Sequence, residues 1–197
     1  SYGVYLGVKA AVKRALGKDS LQGLHIAIQG AGSVAGGLAR RAAADGARLS
    51  IADIDEGPAR ALADEVGGTV VGADEIMTLP ADVFSPNAMG AILDPQSIAA
   101  LNAPIVAGGA NNQMATGDDG DRVQARGILY APDYVINAGG IINVSTEYLK
   151  DGDQALVRRR IEAIPGRLEE IWQESAATGR NPARVAGDMA RRLIGRA

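Results

Sequence analysis

Cysteine is absent from the 197 residues, and histidine occurs once, at His25. The lack of cysteine excludes disulfides, thiolate metal sites and a cysteine nucleophile. A single histidine likewise excludes a metal site built from several histidines. Aromatic residues are scarce, at 4% with one Phe and one Trp, whereas 26 residues are glycine. The composition therefore favours sites where another group comes close to the main chain over sites anchored by aromatic side chains.

The sequence also lacks a basic surplus and a long apolar run. Its 20 Lys and Arg residues against 23 Asp and Glu give a net charge of −3, so there is no broad basic surface to attract nucleic acid. No apolar run approaches the roughly 20 residues of a membrane span, and the N-terminus has no signal-peptide layout. We therefore expect neither nucleic acid nor a membrane as a partner, and a cytoplasmic location.

Short apolar segments alternate with amphipathic ones through the first two thirds of the chain. Strands are predicted at 24–29 and 47–52, each followed by a predicted helix, at 33–46 and 55–66. Shorter strands are predicted at 69–71, 82–84, 104–107, 128–130 and 134–136. Strands that alternate with helices form parallel βαβ units with right-handed crossovers. The predicted fold class is α/β: a Rossmann-type, doubly wound, mostly parallel sheet with helices on both faces.

Helical patterns flank this core. A helix is predicted at 4–16, and 141–197 is predicted to be helical, with breaks near 150–153 and 178–182. One apolar stripe in the second region is expected mainly to cover this domain's own sheet rather than to remain exposed for a partner. Its members are Ile161, Ile164, Leu168, Ile171 and Trp172. We divide the chain into an N-terminal helix at 1–16, a core at 24–140 and extra C-terminal helices at 141–197.

A glycine-rich turn, Gly30-Ala31-Gly32-Ser33-Val34-Ala35, follows the first predicted strand and opens the helix after it. Gly30 permits a tight turn, Gly32 lets the backbone approach a pyrophosphate, and Ala35 keeps the helix close to the sheet. The pyrophosphate would lie on the free N–H groups of that helix. Alternatively, these glycines only make a tight strand–helix turn in another kind of α/β protein.

An acidic residue follows the turn at the expected distance. Asp53 ends the second predicted strand 21 residues after Gly32 (from 32 to 53), close to the roughly 20 residues expected for the acid that binds the adenine ribose. Together with Asp55 and Glu56 it would repel a 2′-phosphate. The sequence therefore favours NAD over NADP.

Three loops rich in glycine and asparagine, at 85–90, 108–113 and 137–140, each follow a predicted strand. In an open parallel sheet the ligand lies beyond the carboxyl ends of the strands, where all three loops are expected. Asparagine amides offer both a donor and an acceptor to a carboxamide or an α-amino acid head group. The alternative is plain turn chemistry, because Asn and Gly favour turns by themselves.

The third loop is part of a longer segment, residues 130–144, that reads Tyr-Ala-Pro-Asp-Tyr-Val-Ile-Asn-Ala-Gly-Gly-Ile-Ile-Asn-Val. This segment closely resembles a signature of the leucine, phenylalanine and valine dehydrogenases, within the glutamate dehydrogenase superfamily. The resemblance extends to 2–5, 29–35, 52–54, 84–90 and 107–113. It implies the C-terminal NAD-binding domain of an enzyme that oxidatively deaminates a hydrophobic L-amino acid to its 2-oxo acid and ammonia, with a hydride passing to NAD.

The resemblance also implies roles for single residues. The implied cofactor-binding residues are Gly30, Gly32, Ser33, Val34 and Ala35 at the pyrophosphate, Asp53 at the ribose with its neighbour Ile54, and Ala88 and Asn137 along the nicotinamide. The implied substrate-binding residues are Asn112 at the amino and carboxylate end, and Ile141 and Val144 in the side-chain pocket. Aliphatic residues there suit an apolar substrate over glutamate, whose carboxylate would require a cation. The chain departs from the family at Asn87, where leucine enzymes often carry cysteine.

The family's N-terminal catalytic domain supplies lysines that grip the substrate carboxylate and activate water. The chain's lysines, Lys9, Lys13, Lys18 and Lys150, lie beside none of the three loops in sequence, and His25 opens a buried strand away from them. We therefore predict no catalytic acid–base residue and no metal site, and expect the catalytic domain to be absent from this chain, with 1–16 next to the hinge. Two hypotheses remain. The chain is the NAD domain of an amino-acid dehydrogenase, which alone binds NAD without turnover, or it is a stand-alone NAD-binding or regulatory module without catalysis.

Overall fold

The computed structural model describes residues 1–140, 154–193 and 195 of the chain. The described residues form a sheet of six parallel strands in the order β3-β2-β1-β4-β5-β6. The strands are β1 His25–Gln29, β2 Arg48–Ala52, β3 Thr69–Val70, β4 Val83–Pro86, β5 Ile105–Val106 and β6 Leu129–Tyr130. This order reverses between β1 and β4, which is the topology of a doubly wound Rossmann-type fold. The predicted fold class is confirmed.

The helices of the described ranges connect and cover these strands. They are α1 Tyr2–Leu16, α2 Ser33–Ala44, α3 Glu56–Val66, α4 Pro95–Ala100, α5 Asp119–Ala125, α6 Asp133–Ile136, α7 Gln154–Glu162, α8 Ile164–Thr178 and α9 Pro182–Leu193. The ends of α3 follow ordinary capping chemistry: the Asp55 carboxylate accepts the N–H of Gly57 at 3.0 Å, and Gly67 ends the helix in the left-handed conformation.

Hydrophobic side chains fill both faces of the sheet. On one face Ile26 and Ile28 of β1 pack in a cluster with Val8 of α1 and Leu38 of α2. On the other face Ala27, from the same strand, belongs to a second cluster. That cluster also contains Phe84, Val106, Ile98 and Val123. A strand buried on both faces explains why β1 is an unbroken apolar run rather than an alternating one.

The predicted strand at 134–136 is wrong, because these residues belong to the one-turn helix α6. The N–H groups of Val135 and Ile136 both donate to the carbonyl of Pro132 at 3.0 Å. The Asp133 carboxylate accepts the N–H of Tyr134 at 2.7 Å. Val and Ile favour strands, but β propensity depends on context, and here local hydrogen bonds after a proline closed a helical turn instead.

The C-terminal helices bury their apolar stripe against other helices more than against the sheet. Leu168 of α8 is fully buried in the cluster that contains Val4 and Val8 of α1. Trp172 also reaches β6, where its indole N–H donates to the carbonyl of Tyr130 at 2.8 Å. Four members of the stripe are buried and Ile161 is partly buried. The expectation that the stripe mainly covers the sheet is met only in part, because α1 packs against much of it. Within the described ranges, no helix combines the length and apolar character needed to cross a membrane.

Candidate functional site

The turn between β1 and α2 is held by a glycine that no other residue can replace without strain. Gly30 has a φ of 98°, and its N–H donates to the carbonyl of Ala52 at 2.7 Å. A Cβ atom at this position would lie 3.0 Å from the carbonyl carbon of Asn87 and 3.1 Å from the nitrogen of Ala88. The turn after β1 therefore packs directly on the loop after β4, with no room for a side chain between them.

The second glycine of the turn faces open space. Gly32 is exposed and precedes α2, and a Cβ atom there would meet nothing within 4 Å. Among the described residues, no side chain caps the first turn of α2. The N–H groups at this end of the helix carry its partial positive charge. An uncapped helix end behind an open glycine fits the pyrophosphate of a dinucleotide.

Asp53 lies at this turn, as its spacing in the sequence suggests. One carboxylate oxygen accepts the N–H of Ala31 at 2.7 Å, and the other accepts the N–H of Asp55 at 3.1 Å. The side chain thus joins the glycine turn to the loop after β2. A carboxylate has about four lone-pair positions, so two donors leave acceptor capacity for the hydroxyl groups of a ribose. Ile54, beside it, exposes 88% of its surface.

Asn87 joins two of the three asparagine-rich loops. Its amide nitrogen donates to the carbonyl of Ser85 at 2.9 Å, and its amide oxygen accepts the N–H of Gly109 at 2.9 Å. The loop after β4 is thereby fixed to the loop after β5. The amide acts inside the protein as a brace, a role that cysteine, with one weak donor and no amide, could not reproduce.

The third loop contacts the second through Asn137. Its amide nitrogen donates to the side-chain oxygen of Asn111 at 3.1 Å. The adjacent Asn112 is exposed and has a φ of +51°, a conformation in which Asn is more tolerated than most residues. Its carbonyl accepts the N–H of Ala91 at 2.6 Å. The structure therefore brings the three predicted loops together, although the third follows α6 and not a strand.

Gln113 stabilises the loop after β5 from its buried side, a role that the sequence does not predict. Its side chain is fully buried, and its amide nitrogen donates to the carbonyls of Gly108 and Ala110 at 2.9 Å each. Its backbone N–H donates to the Asp133 carboxylate at 3.0 Å. The one available signal was a glutamine directly after two asparagines, which does not distinguish a buried side chain from an exposed one.

The other expected site residues are Ala88, Ile141 and Val144. Ala88, in the loop after β4, is exposed and lies beside Gly30. Ile141 and Val144 lie outside the described residues. His25 lies at the amino end of β1, where its ring nitrogens contact the carbonyl of Pro80 and the hydroxyl of Ser50, away from the loops. In the part of the chain that the structure describes, no group of three His, Cys, Asp or Glu residues could hold a metal ion.

Comparison with known proteins identifies the family. The family model described as Glutamate/Leucine/Phenylalanine/Valine dehydrogenase matches residues 50–189. The chain belongs to this family. Leucine dehydrogenase of Bacillus subtilis (strain 168) is 42% identical over 189 residues, which are 95% of this chain and 51% of that protein. Phenylalanine dehydrogenase of Lysinibacillus sphaericus is 37% identical over 88% of this chain and 47% of its own length.

A solved structure of a relative has the same fold. The crystal structure of L-tryptophan dehydrogenase from Nostoc punctiforme superposes with a TM-score of 0.93 at 36% sequence identity. The superposition covers 98% of this chain and 59% of that chain. The chain spans about half the length of the curated relatives that it matches.

Proposed function

We propose that this chain is the NAD-binding domain of an NAD-dependent dehydrogenase of hydrophobic L-amino acids. In this proposal residues 1–16 lie next to the interdomain hinge, 24–140 form the cofactor-binding core and 141–197 form the C-terminal helices. The whole enzyme would convert an L-amino acid, NAD⁺ and water to a 2-oxo acid, ammonium, NADH and a proton. The observation that carries the proposal is the glycine turn with Asp53 at one end of the sheet edge and three braced asparagine-rich loops at the other.

The first part of the proposal concerns the adenosine end. Gly32 and the uncapped start of α2, with Ser33, Val34 and Ala35, would bind the pyrophosphate. Asp53, with Ile54 beside it, would bind the adenine ribose through its remaining lone pairs. Asp55 and Glu56, which are exposed next to it, add negative charge that opposes a 2′-phosphate. These charges support NAD over NADP.

The second part concerns the nicotinamide and the substrate. When bound, NAD⁺ would supply the hydride acceptor for oxidation at the α-carbon of the amino acid. Ala88 and Asn137 would lie along the nicotinamide, where a small side chain and an amide suit a flat ring with a carboxamide. Asn112 would bind the amino and carboxylate end of the substrate, while Asn87 and Gln113 keep the loops in place. We assign the chain no acid–base step.

An apolar substrate is supported by two independent points. Ile141 and Val144, which we propose for the side-chain pocket, are aliphatic, and burying a substrate carboxylate against them would be costly. The relatives at 37–42% identity described above are named leucine and phenylalanine dehydrogenase. We infer a branched or aromatic amino acid as the substrate class.

A second candidate function is a stand-alone NAD-binding or regulatory module. The observation that favours it is that two lysines on α1 form ion pairs on the surface. Lys9 pairs with Asp45 at 2.9 Å and Lys13 with Asp19 at 2.7 Å, so both ammonium groups are paired with carboxylates on the surface rather than directed at the asparagine-rich loops. On this alternative the chain binds NAD without contributing to any reaction.

The test is calorimetric titration of the chain with NAD⁺ and NADP⁺, combined with an absorbance assay for NADH formation from leucine, valine and phenylalanine. We expect NAD⁺ binding and no turnover by this chain alone. Failure to bind NAD⁺ would overturn both functions, and turnover by this chain would exclude the module. Binding without turnover agrees with both, and assaying the full-length product of the encoding gene then decides between them.

A further inference from the structure

A shallow hollow lies beside the glycine turn, between α2 and α3. Residues of the turn and of the first turn of α2 form one side of it: Ala31, Gly32, Ser33 and Gly36. The helix α3 forms the other side, and Arg40 and Glu65 lie at its margin. Because the N–H of Ala31 donates to Asp53, the hollow adjoins the carboxylate that we propose for the adenine ribose. If Asp53 binds the adenine ribose as proposed, the 2′ position that carries the additional phosphate of NADP would lie near this hollow.

The guanidinium of Arg40 folds back over the start of its own helix. Its Nη1 atom lies 3.1 Å from the position that a Cβ of Gly36 would occupy, and its Cζ lies 3.7 Å away. A Cβ atom at position 36 would be in tight contact with the guanidinium, which would have to shift by a few tenths of an ångström. Glycine at a helix interior costs about 1 kcal/mol relative to alanine, and here it leaves room for the guanidinium of Arg40 beside the first turns of α2.

Glu65 of α3 holds this cation. Nε of Arg40 donates to one carboxylate oxygen at 2.6 Å and Nη2 donates to the other at 2.7 Å. The side chains remain 54% and 48% exposed, so solvent reaches the pair. The hydrogen bonds from Arg40 lower the pKa of Glu65, which keeps the carboxylate ionised at neutral pH. The two-fold pairing uses the Nε–Nη2 edge of the guanidinium, so one of the two edges that could bind a phosphate is occupied and the charge of Arg40 is offset.

We propose that Glu65 is a second determinant of the preference for NAD: it neutralises and orients Arg40, which would otherwise attract a 2′-phosphate bound in the adjoining hollow. This inference rests on the proposed function, since it concerns the same cofactor site. Asp53 repels the additional phosphate directly. Glu65 acts through Arg40, by offsetting its charge and holding one edge of the guanidinium, a group that proteins often use to bind phosphate.

The test is the variant Glu65→Ala, titrated by calorimetry with NAD⁺, NADP⁺, 5′-AMP and 2′,5′-ADP. We expect the affinity for NADP⁺ and 2′,5′-ADP to rise about three- to tenfold, the range of one partly exposed charge-assisted contact. Affinity for NAD⁺ and 5′-AMP should stay within about twofold, because neither has the 2′-phosphate. The gain should shrink at high salt, since the released cation is exposed.

Two further variants make the test specific. In the double variant Arg40→Met with Glu65→Ala the gain should disappear. Asp64→Ala is the matched control: it removes one exposed carboxylate from the same helix, at a position that does not line the hollow. An equal gain in Asp64→Ala, or no gain in Glu65→Ala while NAD⁺ still binds, would overturn the inference. If NAD⁺ binds to none of the proteins, the proposed function fails and this inference falls with it.

Discussion

At the glycine turn, main-chain groups make most of the contacts, whereas at the three asparagine-rich loops side-chain amides make them. Gly30 bonds through its N–H and Gly32 offers open backbone, with Asp53 as the main side chain involved. At the loops, the amide of Asn87 bonds across two loops, and the amide of Gln113 bonds to carbonyls within its own loop. The turn should therefore depend on the absence of side chains, and the loops on the presence of particular ones.

The largest effect is expected at Gly30. Changing it to valine combines a left-handed backbone, which costs a β-branched residue about 1–2 kcal/mol or more, with overpacking against Asn87 and Ala88 that adds about 1–3 kcal/mol. We expect unfolding by urea to show a loss of about 2–5 kcal/mol, and NAD⁺ binding to vanish. A loss below about 1 kcal/mol would contradict the observed packing of the turn on the loop after β4.

Gly32→Ala is the matched change within the same turn. Because a Cβ there meets nothing within 4 Å, we expect stability to change by less than about 1 kcal/mol. The methyl group would stand where the pyrophosphate approaches, so NAD⁺ affinity should fall about tenfold. Unchanged affinity for NAD⁺ by calorimetry would argue against a pyrophosphate at this turn.

Gln113→Leu should have the next largest effect on stability. The variant keeps the volume but leaves the carbonyls of Gly108 and Ala110 without their donor, which we expect to cost about 2–3 kcal/mol in urea unfolding. The control is Gln173→Leu, an exposed position bonded to Glu169, which should stay within about 0.5 kcal/mol of the wild type. Equal effects at the two positions would show that Gln113 does not brace the loops.

A smaller loss is expected for Asn87→Ala, about 1–2 kcal/mol, because the N–H of Gly109 loses its acceptor while Asn87 is only half-buried. Asn87→Cys should resemble the alanine variant, since a thiol cannot bridge both loops. If the cysteine variant instead matches the wild type in urea unfolding, then the amide does not join the two loops.

The difference between the two regions also explains what the sequence could predict. The turn, Asp53 and the strands around them follow from local patterns, because each residue acts on neighbours close in the chain or at a fixed spacing. The helix α6 was mistaken for a strand, since Val135 and Ile136 favour strands until Pro132 and Asp133 provide helical partners. Gln113 bonds to carbonyls only five and three residues away, but no sequence pattern shows that its side chain is buried.

The break between α7 and α8 agrees with the sequence, because Pro165 and Gly166 predict that a helix starts or kinks there. The structure interrupts the helix at Ala163, directly before the first turn of α8 that contains Pro165. Proline is well tolerated in a first helical turn, so it permits either a kink or a new start. Which of the two occurs depends on how Ile164 and Leu168 pack against α1, and no local pattern contains that information.

The most direct test of the account is a calorimetric titration of NAD⁺ into the chain and into its Asp53→Asn variant. The account predicts saturable binding to the wild type and binding about tenfold weaker to the variant, because a charge-assisted bond to the ribose is lost. The variant should lose no more than about 1 kcal/mol of stability, since an amide oxygen still accepts one of the two N–H groups. No binding to the wild type, or equal binding to both proteins, would contradict the account.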